Sequence, residues 1–320
     1  MGRHNAVTRT KYSLETQLAS RELIADFSPN PIRLFKNLLV CTDFSPVSNL
    51  AVEEAVRLSC EMSAHLTILH IFEYGTAASR WEDPSQPAEK LRSREDEYLS
   101  HLLEHVRLKG ASADAVLCDG PASEAIIEQI NEGHVDLTIV GTHGFSGVER
   151  MVFGSTAERV FRKAACPVLT VGPRVGIRHE IDDAAPIIFA TDFQTPEVTA
   201  VRYASALARL GGVPLHCINV LPLPMESDSE DAIVPQIMME ALHHLLDDDV
   251  KNNVKPICAI IYGSEVSHAI VDYAKAKHAK LIVLGIRRKL PITNHLPPQV
   301  TYRTIVTAPC PVLTASFDHD

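Results

Sequence analysis

The sequence lacks several features that would assign it to a specialised class of protein. It has no run of the roughly 18 apolar residues that a bilayer-spanning helix needs. Basic residues are also in deficit, with 30 Lys and Arg against 40 Asp and Glu. The resulting net charge of -10 argues against a general nucleic-acid binder or a protein attracted to anionic membranes, because both need a cationic surface. The hydrophobic content of 46% is that of a globular protein and excludes wholesale disorder.

The seven cysteines form no recognisable metal or disulfide pattern. No two of them make a CxxC pair, and no group of cysteines and histidines has the spacing of a zinc site. Most lie in apolar runs, where a free cysteine behaves as a small buried hydrophobe. An odd number of scattered cysteines favours a reducing compartment, and the first 23 residues lack the apolar core of a signal peptide. We therefore expect a cytoplasmic protein.

Three segments of the first half recur in the second half in the same order. KNLLVCTDFSP (36–46) matches PIIFATDFQTP (186–196), and DLTIVGTHG (136–144) matches KLIVLGIRR (280–288). ACPVLTV (165–171) matches PCPVLTA (309–315). Chance could produce one such match, but hardly three in order, so the chain is an internal duplication of two units of nearly equal length.

Each unit alternates short apolar runs with helical patterns, beginning with a strand at Lys36–Thr42 and a helix at Pro46–Met62. Such alternation predicts an α/β fold with a mainly parallel sheet and helices on both faces. We expect two tandem, doubly wound, five-stranded sandwiches packed as a pseudo-dimer. The last strand of each unit, Val168–Val171 and Val312–Ala315, would otherwise be a free edge that invites aggregation. Two independent domains on a flexible tether are the alternative.

The expected boundaries follow from the repeat and from a Gly-, Pro- and charge-rich stretch between the units. Residues 1–30 form an N-terminal extension, 31–173 the first domain, 174–185 the linker and 186–316 the second domain. The extension has weak helical character at Leu14–Ala25 and is either a docking arm or a frayed tail. We favour the tail.

The segment Gly141–Thr156 carries the strongest chemical signal, because glycines and hydroxyls follow the end of a buried strand. In open α/β sheets, ligands bind outside the carboxyl ends of the strands, where this segment begins. Glycines allow a ligand to approach the backbone closely, and the N–H groups of the helix that starts after Gly154 suit a phosphate. The hydroxyls of Ser155 and Thr156 can donate to phosphate oxygens. The pattern is neither a Walker A loop nor a GxGxxG after the first strand.

Asp43 adds a second element at the end of the first strand. Strands one and four are neighbours in a doubly wound sheet of this order, so Asp43 and Gly141 are expected to face one crevice. A carboxylate there can accept hydrogen bonds from a base amino group or from ribose hydroxyls. Two structural alternatives stay open. The glycines could serve only a tight turn, with Ser155 as an N-cap, and Asp43 could serve only to cap the next helix.

With these residues in place, the sequence resembles the universal stress protein family, from about Phe35 to Val171 and again from Pro186 to Ala315. The nucleotide motif of that family is Gly, two residues, Gly, nine residues, Gly, then Ser or Thr. Four positions match it without a gap, namely Gly141, Gly144, Gly154 and Ser155. The resemblance implies a fold like that of the adenine nucleotide α-hydrolases.

The resemblance also implies that ATP is the ligand, with Mg²⁺ as an optional companion, although no carboxylate cluster in the sequence demands a metal. Thr42 and Asp43 would approach the adenosine, and Ile71 would pack against the base. The remaining residues are implied to line the ribose and phosphates: Val140, Gly141 and Gly144 at the first turn, and Gly154, Ser155 and Thr156 at the helix start.

The second unit departs from the motif. The offset of the repeat sets Arg288 opposite Gly144 and Pro298 opposite Gly154, and Gln299 replaces Ser155. A proline has no N–H to offer a phosphate. We expect this half to be a degenerate site that keeps the fold and supplies an interface.

The resemblance implies an adenine-nucleotide-binding protein that acts in stress response or signalling through conformation and an unidentified protein partner, with a homodimer as a further expectation. No nucleophile–base pair is visible, so an efficient enzyme is not expected, and slow ATP hydrolysis stays open. An adenylating enzyme of related architecture is one rival, but that class carries a Ser-Gly-rich loop after strand one, and TDFSPVSN has no glycine. A nucleotide-free interaction scaffold is the other rival.

Overall fold

The computed structural model describes residues 9–12, 34–73, 87–142, 154–175, 184–193, 198–223, 233–246, 250–251, 254–287 and 299–317. The strands are β1 Arg9–Tyr12, β2 Asn37–Thr42, β3 His65–Phe72, β4 Ala113–Asp119, β5 Leu137–Gly141, β6 Val168–Val171, β7 Ile187–Thr191, β8 Leu215–Leu221, β9 Ile257–Tyr262, β10 Leu281–Arg287 and β11 Val312–Phe317. The helices are α1 Pro46–Met62, α2 Ala88–Leu108, α3 Ala122–Glu132, α4 Ser155–Lys163, α5 Val198–Gly211, α6 Val234–Leu245, α7 Val266–Ala276 and α8 Gln299–Thr307.

Helix α1 shows how the local sequence sets an element's bounds. Ser45 caps its first turn, accepting a hydrogen bond from the Ser48 N–H at 3.2 Å, and Pro46 occupies the first helical position. The helix ends at Met62, and the C-cap residue Ser63 has a left-handed φ of 52° that turns the chain toward β3. The predicted range Pro46–Met62 is therefore confirmed to the residue.

The eleven strands of the described residues belong to one sheet, in the order β1-β4-β3-β2-β5-β6-β11-β10-β7-β8-β9. Within each half the five repeated strands pair in parallel, and β2 lies between β3 and β5. The expected doubly wound order, with the first and fourth strands of a unit adjacent, is confirmed. The strand order reverses direction at β2, which places the carboxyl ends of β2 and β5 at a topological switch point.

The two halves join through their last strands. Strands β6 and β11 pair antiparallel, with Leu313 opposite Leu169 in the register. The Thr314 hydroxyl donates to the Val168 carbonyl at 3.1 Å. The expected pseudo-dimer is confirmed, and the alternative of two domains on a flexible tether is wrong.

Aromatic contacts reinforce this junction on both faces of the sheet. The Phe35 ring stacks on Tyr203 of α5 with centroids 5.5 Å apart, and Phe161 of α4 meets Tyr302 of α8 at 5.4 Å. Successive residues of each strand point to opposite faces of the sheet and pack into two buried clusters. Each cluster contains side chains from both halves. Packing is therefore continuous across the junction.

Residues 9–12 of the N-terminal extension form strand β1, which pairs antiparallel with the outer edge of β4, Arg9 opposite Cys118. The expectation of a frayed tail is wrong for these four residues, because an edge strand offers unpaired backbone groups that a neighbouring segment can satisfy. The predicted helical stretch at 14–25 lies outside the described residues. No helix in the described ranges combines the length and the hydropathy required to cross a bilayer.

A groove with an empty volume of about 540 Å³ lies between α1 and α5, at the junction of the halves. Its walls are mainly aliphatic side chains near the amino ends of strands, among them Leu137, Ile187 and Leu281, with Arg57 and Lys280 also lining it. It thus lies at the opposite end of the sheet from the carboxyl ends of β2 and β5.

Candidate functional site

A tight turn, Thr42–Ser45, follows β2 at the switch point. The buried Thr42 hydroxyl accepts from the Phe44 N–H at 3.0 Å and lies 3.2 Å from the Ser48 hydroxyl. The Asp43 carboxylate accepts from the Ser45 N–H at 3.1 Å. Phe44 has a φ of 59°, a conformation that side chains rarely adopt and that these bonds hold in place. The turn therefore presents the half-exposed Asp43 at the carboxyl end of the sheet.

The alternative in which Asp43 only caps α1 is wrong, because Ser45 is the N-cap residue. Asp43 stabilises the turn before the helix and keeps further acceptor sites on its carboxylate. It is consequently a structural residue and a candidate ligand-binding residue at once.

Gly141 ends β5 beside this turn, since the register pairs Val40 of β2 with Ile139 of β5. A Cβ atom at Gly141 would lie 3.2 Å from the Ser48 nitrogen and 3.3 Å from the Val47 carbonyl carbon. These are backbone atoms of α1 and cannot move without shifting the helix. Glycine at 141 thus lets α1 pack closely on β5 without crowding, whatever else it does.

The two ends of the glycine-containing segment meet at Thr142. The Thr142 carbonyl accepts from the Gly154 N–H at 2.9 Å, and the Thr142 N–H donates to the Val171 carbonyl at 3.1 Å. A Cβ atom on Gly154 would lie 3.0 Å from the same Thr142 carbonyl oxygen. The start of α4 is thereby anchored directly to the end of β5. Gly144, between these points, lies outside the described residues.

Helix α4 begins without a side-chain cap. Its N-cap residue is Gly154, which has extended backbone and no side chain with which to bond the first turn. Ser155 is the first helical residue, so the alternative that it serves as the N-cap is wrong. By helix geometry, the backbone N–H groups of Ser155 to Ala157 have no acceptor within the helix. The Ser155 side chain is exposed and Thr156 is half-buried.

Ile71 and Val140 lie on the opposite face of the sheet from Thr42. Both pack with the cluster beneath α3 and α4, Val140 fully buried and Ile71 partly exposed near the end of β3. Of the two, only Ile71 keeps an accessible surface that a ligand could touch, and Val140 supports the strand end from below.

Two buried polar residues that sequence reasoning missed lie at this end of the sheet. His70, 2% exposed, faces the Thr42 carbonyl with its Nδ1 at 2.8 Å and the Glu95 carboxylate of α2 with its Nε2 at 3.0 Å. Thr142, 1% exposed, is the other. Polar residues at the ends of apolar strands were the available signal, but the partners are distant in the sequence.

The electrostatics of the crevice offer no thiolate. Burial, with a smaller contribution from the neighbouring Cys166, raises the pKa of the Cys41 thiol far above its ordinary value, so this thiol stays protonated. Within the part of the chain that the structure describes, no group of three His, Cys, Asp or Glu side chains could hold a metal ion.

The second half repeats the turn but not its surroundings. Phe193 has a φ of 58°, and its N–H donates to the Thr191 hydroxyl at 3.0 Å. Asn219 stands where the first half has His70, and its Nδ2 donates to the Thr191 carbonyl at 2.8 Å. The residues matched to Gly144 and Gly154, Arg288 and Pro298, lie outside the described residues.

The family model for the universal stress protein family matches residues 34–172 and 185–316. Universal stress protein MJ0531 of Methanocaldococcus jannaschii is 30% identical over 147 residues, which is 44% of this chain and 85% of that protein. Universal stress protein YxiE of Bacillus subtilis is 29% identical over 147 residues, 43% of this chain and 99% of its own.

Among solved structures, a universal stress protein from Archaeoglobus fulgidus superimposes with a TM-score of 0.66 over 90% of this chain and 98% of its own. At 17% identity this likeness concerns the fold. Because the family model matches both halves in turn, this chain belongs to the universal stress protein family and carries two of its domains in tandem.

Proposed function

We propose that the first half binds ATP at the carboxyl ends of β2 and β5, and that the protein acts in stress response or signalling through nucleotide-dependent conformation and partner binding. The proposal includes the expected domain limits of 31–173 and 186–316 around a linker at 174–185. It also includes a cytoplasmic location, a homodimer and a protein partner not yet identified.

The observation that carries the proposal is the start of α4. Gly154 leaves the first turn uncapped, so the N–H groups of Ser155 to Ala157 can bond an anion, and the helix dipole favours negative charge there. In α1, by contrast, the Ser45 side chain already occupies the first turn. A phosphate chain would bind at α4, with the exposed Ser155 hydroxyl and the Thr156 hydroxyl as further donors. Gly144 would complete this end.

The adenosine end rests on the turn after β2. Asp43 keeps acceptor sites for ribose hydroxyls or a base amino group, and the Thr42 backbone would line the same wall. The accessible part of Ile71 would contact the base, with Val140 and Gly141 behind it. When bound, ATP supplies a triphosphate whose charge the α4 terminus compensates, and Mg²⁺ is an optional companion of that charge.

Calorimetric titration with ATP tests the proposal, and Ser155→Ala is the sharpest variant because the side chain is exposed and its loss leaves the fold intact. We expect about one site per chain. Losing one hydrogen bond to a charged group, worth about 1.5–3 kcal/mol, should weaken binding by roughly 10- to 150-fold. Ser100→Ala, on the exposed face of α2, is the control and should bind as the parent does.

Two results would contradict this reading. Two equal sites per chain would mean that the second half is not degenerate. Unchanged affinity in the Ser155→Ala variant would mean that the phosphates do not lie at α4.

A nucleotide-free scaffold is the second candidate, and one observation favours it. Gly141 and Gly154 both lie in tight contact with backbone, of α1 and of the Thr142 carbonyl respectively, so packing can account for them without a ligand. Mass spectrometry of the purified protein separates the two candidates, since an ATP-binding protein is expected to carry nucleotide through purification. No carried nucleotide and no titration signal would favour the scaffold.

A further inference from the structure

We propose that His70 is a positioning residue for the nucleotide site, and that a proton held between His70 and Glu95 couples nucleotide affinity to pH. The inference rests on the proposed function, because it concerns the turn that presents Asp43. It is carried by hydrogen-bond geometry, by burial and by a comparison between the two halves of the chain.

The hydrogen-bond partners of His70 indicate that a proton lies between its Nε2 atom and Glu95. The Thr42 carbonyl can only accept, so the His70 Nδ1 at 2.8 Å must carry a hydrogen. In the neutral ring, Nε2 would then present a lone pair to the Glu95 carboxylate at 3.0 Å, and an ionised carboxylate also only accepts. Two acceptors would then face each other without a hydrogen between them. One further proton, either on Nε2 or shared with Glu95, would allow a hydrogen bond to form.

The surroundings of the ring favour a cation. The Phe44 ring lies with its centroid 4.3 Å from that of His70, within the range of a cation–π contact. Tyr98 of α2 meets the far side of Phe44 at 6.0 Å. A carbonyl, a carboxylate and an aromatic ring therefore surround a side chain that is 2% exposed.

Several other charged groups on the neighbouring elements have ion-pair or hydrogen-bond partners of their own. On α2, Arg92 pairs with Asp119 at the end of β4, at 2.8 Å. In the turn, Asp43 accepts from the Ser45 N–H. On α1 the charged pairs are Glu54–Arg57, Arg57–Glu61 and Glu53–Lys109. On β4 the register partner of His70 is the apolar Leu117.

His70 contacts both sides of the turn, through the Thr42 carbonyl and through the Phe44 ring, so losing the proton should disturb the residue between them, Asp43. With the proton gone, a lone pair and a carboxylate oppose each other in a buried position, and Glu95 or the ring must move. The proton is thus bound more tightly by the nucleotide-binding conformation, and affinity must fall as the pH rises through the titration of the pair.

In the second half, the corresponding backbone carbonyl accepts a hydrogen bond from a side chain that does not titrate. Asn219, 6% exposed, donates to the Thr191 carbonyl as His70 does to Thr42. Asn219 Oδ1 is buried without a hydrogen-bond partner among the described residues, so no acidic group completes a network there. The second half therefore suggests a control substitution for the first half, His70→Asn, which places there the residue found at position 219.

The experiment is calorimetric ATP titration from about pH 5.5 to 8.5, which brackets the ordinary range of imidazole, on the parent, His70→Asn and Glu95→Gln. We expect the parent to lose about tenfold in affinity across this range beyond the change seen in the variants, the equivalent of one weakened hydrogen bond. Asparagine at position 70 can still donate to the Thr42 carbonyl, but it has no group that titrates in this range. Glutamine donates to a neutral Nε2. Each variant should follow only the titration of ATP itself.

A parent whose pH profile coincides with those of both variants would overturn the inference. The ring-nitrogen chemical shifts of His70 in nucleotide-free protein give an independent readout. They should titrate in the parent and lose that titration in Glu95→Gln, and shifts identical in the two proteins at every pH would also overturn it. If no protein binds ATP at any pH, the proposed function fails, and the nitrogen shifts alone decide whether the pair holds a proton.

Discussion

The two halves of this chain share a turn and differ in what surrounds it. Thr42–Phe44 and Thr191–Phe193 adopt the same left-handed turn, with φ of 59° and 58° at the phenylalanine and a 3.0 Å bond to the threonine hydroxyl in each. The turn survives because it connects a buried strand to a packed helix. The differences lie around the turn, where Pro298 stands at the position of Gly154 and Asn219 at the position of His70.

The start of the fourth helix of each half shows the divergence most clearly. Helix α4 follows Gly154, whose N–H bonds the Thr142 carbonyl, whereas α8 follows Pro298, which has no N–H. Both helices nevertheless form and pack at the junction through Phe161 and Tyr302. The comparison teaches that this helix belongs to the fold, whereas the residue that precedes its first turn can change without loss of the helix.

Breaking the junction should destabilise both halves together, which is the largest effect we expect. Leu313, 1% exposed, lies opposite Leu169 between β11 and β6. Leu313→Asp buries an unpaired carboxylate and should lower the free energy of unfolding by about 3–5 kcal/mol. Urea unfolding with hydrogen exchange resolved by peptide should show β5 and β10 losing protection in one transition.

Leu108→Asp is the matched control, since Leu108 at the end of α2 is 80% exposed, and its stability should stay near that of the parent. First-half peptides that keep full protection in Leu313→Asp would show that the halves are thermodynamically independent.

Gly141→Ala tests whether the glycine at this position serves the packing of α1 on β5 or the binding of a ligand. The added Cβ would lie 3.2 Å from the Ser48 nitrogen, so we expect a loss of about 1–3 kcal/mol in nucleotide-free protein, measured by urea unfolding. Gly211→Ala, at the end of the matching helix α5, meets its nearest atoms at 3.6 Å and should be neutral or slightly stabilising. Unchanged stability in Gly141→Ala, with ATP binding lost, would assign the glycine to the ligand instead.

The smallest effect concerns an ion pair that both halves repeat. Arg159 of α4 pairs with Glu124 at 2.8 Å, and Arg303 of α8 pairs with Glu265 at 2.7 Å. All four side chains are exposed, so Arg159→Met and Arg303→Met should each lower the melting temperature only slightly. The differences should vanish in about 0.5 M salt, because salt screens exposed charges. A large, salt-resistant loss from one variant alone would reveal a role that the repeat does not share.

Much of the fold could be predicted because its signals are local. The bounds of α1 follow from Ser45 and Pro46, and the strands follow from short apolar runs between helical patterns. Helix α6 ends at Leu245. Asp247, Asp248 and Asp249 come next, and acidic side chains at the carboxyl end of a helix oppose its dipole.

The candidate site was predicted unevenly for the same reason. Asp43, Gly141 and Gly154 carry a visible pattern, whereas Glu95 does not, because its contact with His70 spans 25 positions of the chain. Nothing in the sequence around Thr142 indicates that its carbonyl anchors α4. Such contacts depend on which strand ends the fold brings together.

The sequence by itself determined the duplication, the alternation of strands and helices, and the loss of the glycine motif from the second half, because each is written in residue order and spacing. Only the tertiary structure decided that β1 covers the edge of β4, that Gly141 is pressed by the α1 backbone, and that His70 stands between the Thr42 carbonyl and a carboxylate. These contacts join residues that are distant in the sequence. They form, and stabilise the protein, only when the sheet and its helices have packed together.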